Sequence, residues 1–151
     1  MEKINFSVHI NAPASKVFNA ITDKNQYQQW TTEFNPTSTF EGGWKKGDKI
    51  LFVGVNKDGK KEGMVSTIEE NIPGKQISIK HLGFVDGENE ITEGPAVESW
   101  AGAKEEYFLR EENGGTTFDV ALDVTGDFKD DMERMWPKAL AKLKGMLEGQ
   151  A

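Results

Sequence analysis

The sequence contains no cysteine, and this excludes disulfide bonds, thiolate metal sites and a cysteine nucleophile. Histidine is scarce: with only His9 and His81, a zinc site would need carboxylates to complete its ligand set. We therefore expect neither a metal nor a cofactor. No apolar run approaches the ~20 residues of a membrane-spanning helix. The amino-terminal residues alternate in polarity and do not form a signal peptide, so we expect a cytoplasmic protein without membrane insertion.

Basic residues are fewer than acidic ones. Lys and Arg total 18 against 25 Asp and Glu, so the net charge is -7 and the isoelectric point is near 4.9. Such a surface repels both phosphate backbones and anionic membranes. Nucleic acid is therefore not an expected partner.

The composition that remains is typical of one folded domain. The chain has 151 residues, of which 36% are hydrophobic and 28% charged, with four Trp and nine Phe. This aromatic content argues against disorder. A chain of this length buries roughly 70% of the surface that it exposes when unfolded, which suffices for one core. We expect a single domain over residues 1–151.

Alternation of apolar and polar residues predicts an antiparallel sheet. The first strand covers residues 4–10, with His9 pointing away from its apolar face. Turn signals at Asp58-Gly59, Pro73-Gly74 and Gly114-Gly115 separate several of the later strands. These later strands are predicted over residues 37–40, 50–55, 64–72, 76–82, 103–111 and 116–125.

Helical periodicity follows the first strand and returns at the end of the chain. Pro13 suits the first position of one short helix, and Asp23 can cap a second. Apolar residues at three- and four-residue spacings predict a long helix over about 127–148, with Asp127 as its N-cap. Pro137 removes one backbone donor and should kink this helix near Glu133, which would either enlarge a cavity or follow the sheet curvature.

Residues 83–102 form the one long stretch without a regular pattern. The stretch is rich in Glu and contains Gly94-Pro95. It is predicted to be a mobile acidic loop, acting either as a lid or binding segment or as a solvated loop without a special role.

These elements predict an α+β fold in which a curved antiparallel sheet wraps around the long helix. The space between sheet and helix either contains a cavity or is filled by side chains. Large apolar pockets with few polar groups suit hydrophobic ligands. The candidate lining residues, each of which could instead be a core residue, are Trp30, Trp44, Phe52, Met64, Ile79, His81, Tyr107, Leu109, Phe118, Val120, Met132, Met135, Trp136 and Leu140.

Two members of this set carry polar groups that could act on a ligand. His81 shares strand parity with Ile77 and Ile79, and it is either a proton donor or acceptor or a satisfied core histidine. Tyr107 offers a hydroxyl in the same space. Glu106 lies on the opposite parity and is expected outside. Motifs of hydrolases, phosphate-binding loops and zinc peptidases are absent, so His81 and Tyr107 are the only catalytic candidates.

Several segments resemble one known superfamily. They are I-N-A-P-A-S-K-V-F-N-A-I-T at 10–22, Y-Q-Q-W at 27–30, F-E-G-G-W-K-K-G-D at 40–48, G-M-V-S-T-I at 63–68, G-G-T-T-F at 114–118 and M-W-P-K-A-L-A-K-L-K at 135–144. The chain resembles the SRPBCC, or START-like, superfamily over essentially its whole length. Within it, the chain is similar to the branch of the C-terminal domain of Aha, the activator of the Hsp chaperone ATPase.

The resemblance implies a helix-grip fold of six to seven strands, with two short helices after the first strand. It also implies a deep, mostly apolar cavity for lipids, sterols, flavonoids or polyketide-like molecules. Because one fold hosts many functions, three hypotheses stay open. The preferred one is a hydrophobic-ligand binding protein rather than an enzyme. The others are a cyclase or dehydratase using His81 or Tyr107, and a chaperone-interacting module. For the last, ATPase activation is not the expected role, because a chain of this length leaves no room for an N-terminal partner domain.

Overall fold

The computed structural model describes residues 1–149, apart from the side chain of Asp127. Its strands are β1 (Glu2–Ile10), β2 (Thr39–Gly42), β3 (Lys49–Val55), β4 (Lys61–Ile72), β5 (Gln76–Asp86), β6 (Asn89–Ile91), β7 (Lys104–Glu112) and β8 (Gly115–Val124). Its helices are α1 (Ala14–Thr22), α2 (Lys24–Trp30), α3 (Pro95–Glu98) and α4 (Gly126–Leu147), and a 3₁₀ turn covers Thr31–Glu33.

The strands form one antiparallel sheet in the order β1-β8-β7-β5-β4-β3-β2, and the short β6 pairs with β5. Alternating residues of each strand point to one face, called here the inner face, which carries the core. On β8 these are Phe118, Val120, Leu122 and Val124. The α+β helix-grip architecture expected from the sequence is therefore confirmed, and β6 brings the sheet to eight strands, one more than the six to seven expected.

The two short helices follow β1 as predicted. Asp23 caps α2, since its Oδ2 accepts a hydrogen bond from the backbone N–H of Gln26 at 3.0 Å. Pro13 is the N-cap of α1 and not its first residue. The long helix α4 starts at Gly126 with Thr125 as its N-cap, one residue earlier than predicted. The predicted capping by the side chain of Asp127 lies outside the described part of the chain.

The prediction that residues 83–102 form one irregular loop is wrong. β5 continues to Asp86, β6 turns back to pair with it, and α3 follows with Val97 buried. The sequence pattern failed because the register between β4 and β5 shifts after Val65, and Leu82 has no partner in the ladder. This bulge interrupts the alternation that would have indicated a longer strand.

A second, smaller apolar cluster lies on the outer face of the sheet. It consists of Val53, Val65 and Val85, with Leu51 packed against them. Within residues 1–149, no helix combines the length and apolar character needed to cross a membrane.

Candidate functional site

Helix α4 covers one part of the inner face and fills the space beneath it. It packs against β1, the 3₁₀ turn, α1 and α2. Trp136 is the centre of this contact: its ring lies 6.2 Å from that of Phe6, 6.1 Å from that of Trp30 and 4.9 Å from that of Phe34. With 3% of its surface exposed, Trp136 is a core residue. Pro137 lies inside α4, and the kink expected there stays a prediction.

The inner face of β3, β4 and β5 is only partly covered. Phe52 lies directly opposite Met64, and Met64 lies directly opposite Phe84, so the three side chains share this face. All three are half-buried. We call this row of side chains the apolar wall.

Aromatic rings extend the apolar wall toward α2. The buried ring of Tyr27 lies 5.2 Å from that of Phe40, 6.3 Å from that of Trp44 and 6.2 Å from that of Phe52. Trp44 and Phe52 contact each other at 5.6 Å, with their ring planes at a steep angle. Edge-to-face pairs of this kind stabilise the arrangement beyond the area that they bury.

A chain of hydrogen bonds runs beside the apolar wall, and we call it the polar chain. Ser66 Oγ lies 2.7 Å from His81 Nδ1, and His81 Nε2 lies 3.1 Å from Glu105 Oε1. The hydroxyl of Tyr107 donates to the second oxygen, Oε2, of Glu105. The ring of His81 lies 6.2 Å from that of Phe52, so the polar chain and the apolar wall meet at this pair.

With a neutral His81 imidazole, each hydrogen-bond donor of the polar chain has an acceptor. Ser66 then donates to Nδ1, Nε2–H donates to Glu105, and Glu105 accepts from both His81 and Tyr107. Ser66 is fully buried, whereas the side chains of His81 and Glu105 keep 12% and 21% of their surface exposed. A ligand on the apolar wall can therefore reach the imidazole and the carboxylate but not the serine hydroxyl.

The β-bulge and the segment after α3 hold His81 in position. The backbone N–H of His81 donates to the carbonyl of Ala103, and the N–H of Gly102 donates to the carbonyl of His81, both at 2.8 Å. The backbone of His81 is thus paired on one side with the segment that leads into β7. Because Glu105 follows Ala103 by two residues, this backbone pairing brings the ring of His81 close to the Glu105 carboxylate.

Both tyrosines of the chain belong to this region, and burial raises the pKa of each above its ordinary value. The negative charge of Glu105 raises the pKa of Tyr27 and of Tyr107 further, because it opposes a second negative charge nearby. For Tyr27, a hydrogen bond with Ser38 acts in the opposite direction. Both hydroxyls therefore keep their protons in the folded protein at neutral pH.

This raised pKa predicts how the protein behaves in alkali. An exposed tyrosine has an ordinary pKa of 10.0, so the unfolded chain loses two protons that the folded chain keeps. We expect stability to be complete below pH ~10 and to fall above it. Tyrosinate ultraviolet absorbance should rise together with the loss of circular dichroism. A rise that precedes unfolding would contradict this placement of the two hydroxyls.

The residues predicted to line a cavity divide into two groups. One group lies in the packed core and comprises Trp30, Ile79, Tyr107, Leu109, Phe118, Val120, Trp136 and Leu140. The other group is half-buried and comprises Trp44, Phe52, Met64, His81, Met132 and Met135. Of the second group, Trp44, Phe52, Met64 and His81 meet at the apolar wall and the polar chain.

Sequence reasoning missed Glu105, Ser66, Tyr27 and Phe84. Glu105 could have been found, because it shares strand parity with Tyr107 and Leu109 and therefore points to the inner face. Glu106 points to the other face, where it accepts a hydrogen bond from Ser78 at 2.9 Å. Phe84 had no usable signal, since the bulge at Leu82 reverses the parity that His81 and Ile79 establish.

Two surface hollows lie away from this region. One, of about 600 Å³, is lined by Ser15, Lys16, Asn19, Gln26, Met146, Leu147 and Gly149. The other, of about 280 Å³, is lined by Asn5, Phe6, Ser7, Phe108, Asp119, Val120 and Ala121. Among the described residues, no group of three or more His, Asp or Glu side chains is placed to hold a metal ion.

An antiparallel sheet packed around a carboxyl-terminal helix, with two short helices after its first strand, places the protein in the helix-grip class. The sequence pattern of one family, described as Activator of Hsp90 ATPase homolog 1-like protein, matches residues 11–148. The chain belongs to this family. A search of curated proteins found no match.

Solved structures agree with this assignment at the level of the fold. The solution structure of the Aha1 dimer from Colwellia psychrerythraea has a TM-score of 0.73 at 24% identity, covering 99% of this chain and 98% of that one. CalU16 from Micromonospora echinospora has a TM-score of 0.67 at 18% identity, over 99% and 76% of the two chains. DynU16, from the dynemicin biosynthetic locus, has a TM-score of 0.70 at 15% identity, over 99% and 48%.

Proposed function

We propose that the protein binds a hydrophobic small molecule (a lipid, sterol, flavonoid or polyketide-like compound) between the sheet and the C-terminal helix, against the apolar wall. The observation that carries this proposal is the half-buried row Phe52, Met64 and Phe84, which lies on strands other than β1, the strand against which α4 packs. A ligand on this row would bury apolar surface that is now in contact with water.

The polar chain would orient such a ligand. His81 and Glu105 lie at the edge of the apolar wall and keep part of their surface accessible. Sites for apolar ligands typically combine an apolar lining with a few polar groups that fix orientation. The indole N–H of Trp44 is buried without a hydrogen-bond partner, so a ligand oxygen that reached it would satisfy this donor.

The test is a titration with fatty acids, sterols, flavonoids and aromatic polyketides, followed by NMR amide shifts and tryptophan fluorescence. We expect at least one class to shift the amides of Phe52, Met64, His81, Phe84 and Glu105. A panel in which no class shifts these amides would contradict the proposal. The search would then turn to protein partners on the outer surface.

Two adjacent residues of β3 provide a matched pair of variants for this titration. Phe52→Ala removes an aromatic ring from the apolar wall, whereas Leu51→Ala truncates its neighbour, which packs on the outer face. We expect Phe52→Ala to weaken binding about tenfold, because truncating a central apolar contact typically costs more than ~1 kcal/mol. Leu51→Ala should leave the affinity within about twofold. Equal losses in both variants would indicate an effect of stability and not of contact.

Catalysis is the second candidate, and the polar chain favours it. Glu105, His81 and Tyr107 could accept or donate a proton at a ligand atom held beside them, as a cyclase or dehydratase requires. Mass spectrometry of the ligand recovered from the titration tests this alternative. A ligand that returns chemically unchanged would support a carrier and oppose an enzyme.

A chaperone contact is the third candidate, and family membership supports it. The Aha1 name of the Colwellia psychrerythraea protein points in the same direction. This alternative gains weight only when the ligand panel fails.

A further inference from the structure

Building on the proposed function, we infer that the site selects apolar ligands by charge: it binds amines best, alcohols less well and carboxylic acids least. Hydrophobic contacts alone do not distinguish amines, alcohols and carboxylic acids that share one apolar skeleton. It rests on the position of one carboxylate, Glu105, which lies beside aromatic rings on the face opposite to the adjacent lysines of β5 and β7.

Among residues 1–149, no lysine or arginine forms an ion pair with the Glu105 carboxylate. Its two oxygens accept hydrogen bonds from His81 and from Tyr107. A carboxylate has about four lone-pair directions, so two remain open for a donor supplied by a ligand. With 21% of its side chain exposed, Glu105 is accessible to such a donor.

The nearest basic residues along the strands point to the other face. Lys104 precedes Glu105 and pairs with Glu69 at 3.3 Å, and Lys80 lies opposite Lys104 in the ladder. Their parity is opposite to that of Glu105 and Ile79, which share the inner face. Neither lysine is therefore placed to receive the carboxylate of a ligand on the apolar wall.

The aromatic rings favour cations for a separate reason. The faces of aromatic rings are electronegative and attract an ammonium group within about 6 Å. One such contact already exists in the protein, where Lys24 Nζ lies 5.2 Å from the centre of the Phe40 ring, which itself packs against Tyr27. Tyr27, Trp44 and Phe52 bring further rings close to the apolar wall.

The electrostatics of the region and of the whole chain act in the same direction. The negative charge of Glu105 raises the pKa of both tyrosine hydroxyls, because it opposes a second negative charge nearby. A ligand carboxylate at this place would meet the same repulsion and would lose its hydration as well. The net charge of -7 adds a field that attracts cations and repels anions at longer range.

The test uses three probes with one apolar skeleton: naphthylmethylamine, naphthylmethanol and naphthoic acid. Each is titrated at neutral pH, and the dissociation constant is taken from the NMR shifts of the apolar-wall amides. We expect the amine to bind about tenfold more tightly than the acid, with the alcohol between them, because placing like charges side by side is strongly unfavourable. Equal affinities, or an acid that binds best, would overturn the inference while leaving the proposed function standing. Binding of none of the three would count against both.

Glu105→Gln removes the charge and keeps the size of the side chain. We expect it to abolish the preference for the amine while changing the affinity for the alcohol less than about threefold. Glu106→Gln is the matched control, because Glu106 follows directly in β7 and points to the outer face. A preference that survives Glu105→Gln, or that disappears equally in Glu106→Gln, would overturn the inference. Circular dichroism confirms that each variant is folded, and the comparison of the three probes on the unaltered protein does not depend on either variant.

Discussion

Replacing Trp136 by alanine is expected to cost about 3–5 kcal/mol of the free energy of unfolding. The ring is buried among Phe6, Trp30 and Phe34, and it also lies 6.1 Å from the ring of Tyr107. Each of these rings comes from a different element or connection, so no single element can move to fill the space. The loss is large compared with the ~5–15 kcal/mol that stabilises a typical domain.

Urea unfolding followed by circular dichroism measures this effect. Trp100→Ala is the matched control, because Trp100 is half-buried and its indole N–H donates within its own segment, to the carbonyl of Ala96 at 2.9 Å. We expect the control to lose about 1 kcal/mol, as partly exposed positions generally do. If both variants lose the same amount, Trp136 is not the central contact between α4 and the sheet.

The second large effect is expected at Gly63, near the start of β4, where it pairs with Val53 of β3 and Val85 of β5. A Cβ at this position would lie 1.9 Å from the carbonyl oxygen of Phe52 and 2.7 Å from the Cα of Val53. These are backbone atoms of β3, which cannot swing aside as a side chain can. The φ angle of Gly63, 151°, adds strain for any residue with a side chain. We expect Gly63→Ala to destabilise the protein by about 2–4 kcal/mol.

Gly59→Ala separates the two causes of this loss. Gly59 also has a positive φ, of 76°, but a Cβ there would meet nothing within 4 Å. This control should lose only about 1 kcal/mol, from the backbone conformation alone. Thermal unfolding of both variants gives the comparison. Similar losses of stability in the two variants would show that β3 and β4 can move apart at Gly63 with little loss of free energy. Phe52 and Met64 would then be held less rigidly than we infer.

Sequence patterns were sufficient for most of the fold. The α+β helix-grip architecture, the two short helices after β1 and the long carboxyl-terminal helix follow from local signals such as alternation, helical spacing and capping at Asp23. These signals act over a few residues, and they are strong where one face of an element is buried. The resemblance to the Aha branch is likewise confirmed, because the family match covers residues 11–148.

The site was only partly predictable. His81 and Tyr107 were identified by parity, and the same rule applied to Glu105 would have completed the group on β5 and β7. Ser66 carried no signal, because a buried serine and a surface serine look alike in sequence. The bulge at Leu82 also carried none, although it places Phe84 on the same face as Met64. Bulges depend on how two strands meet, and the partner strand is not visible in local patterning.

Local sequence patterns set which faces of most strands and of α4 are apolar, and composition makes the net charge negative. The division of the inner face arises only in the fold, where one part packs around Trp136 and another stays half-buried at Phe52, Met64 and Phe84. The physical reason is that burial depends on where α4 crosses the sheet. Composition and periodicity specify that an apolar face must be covered, but they do not specify by which element or over what length.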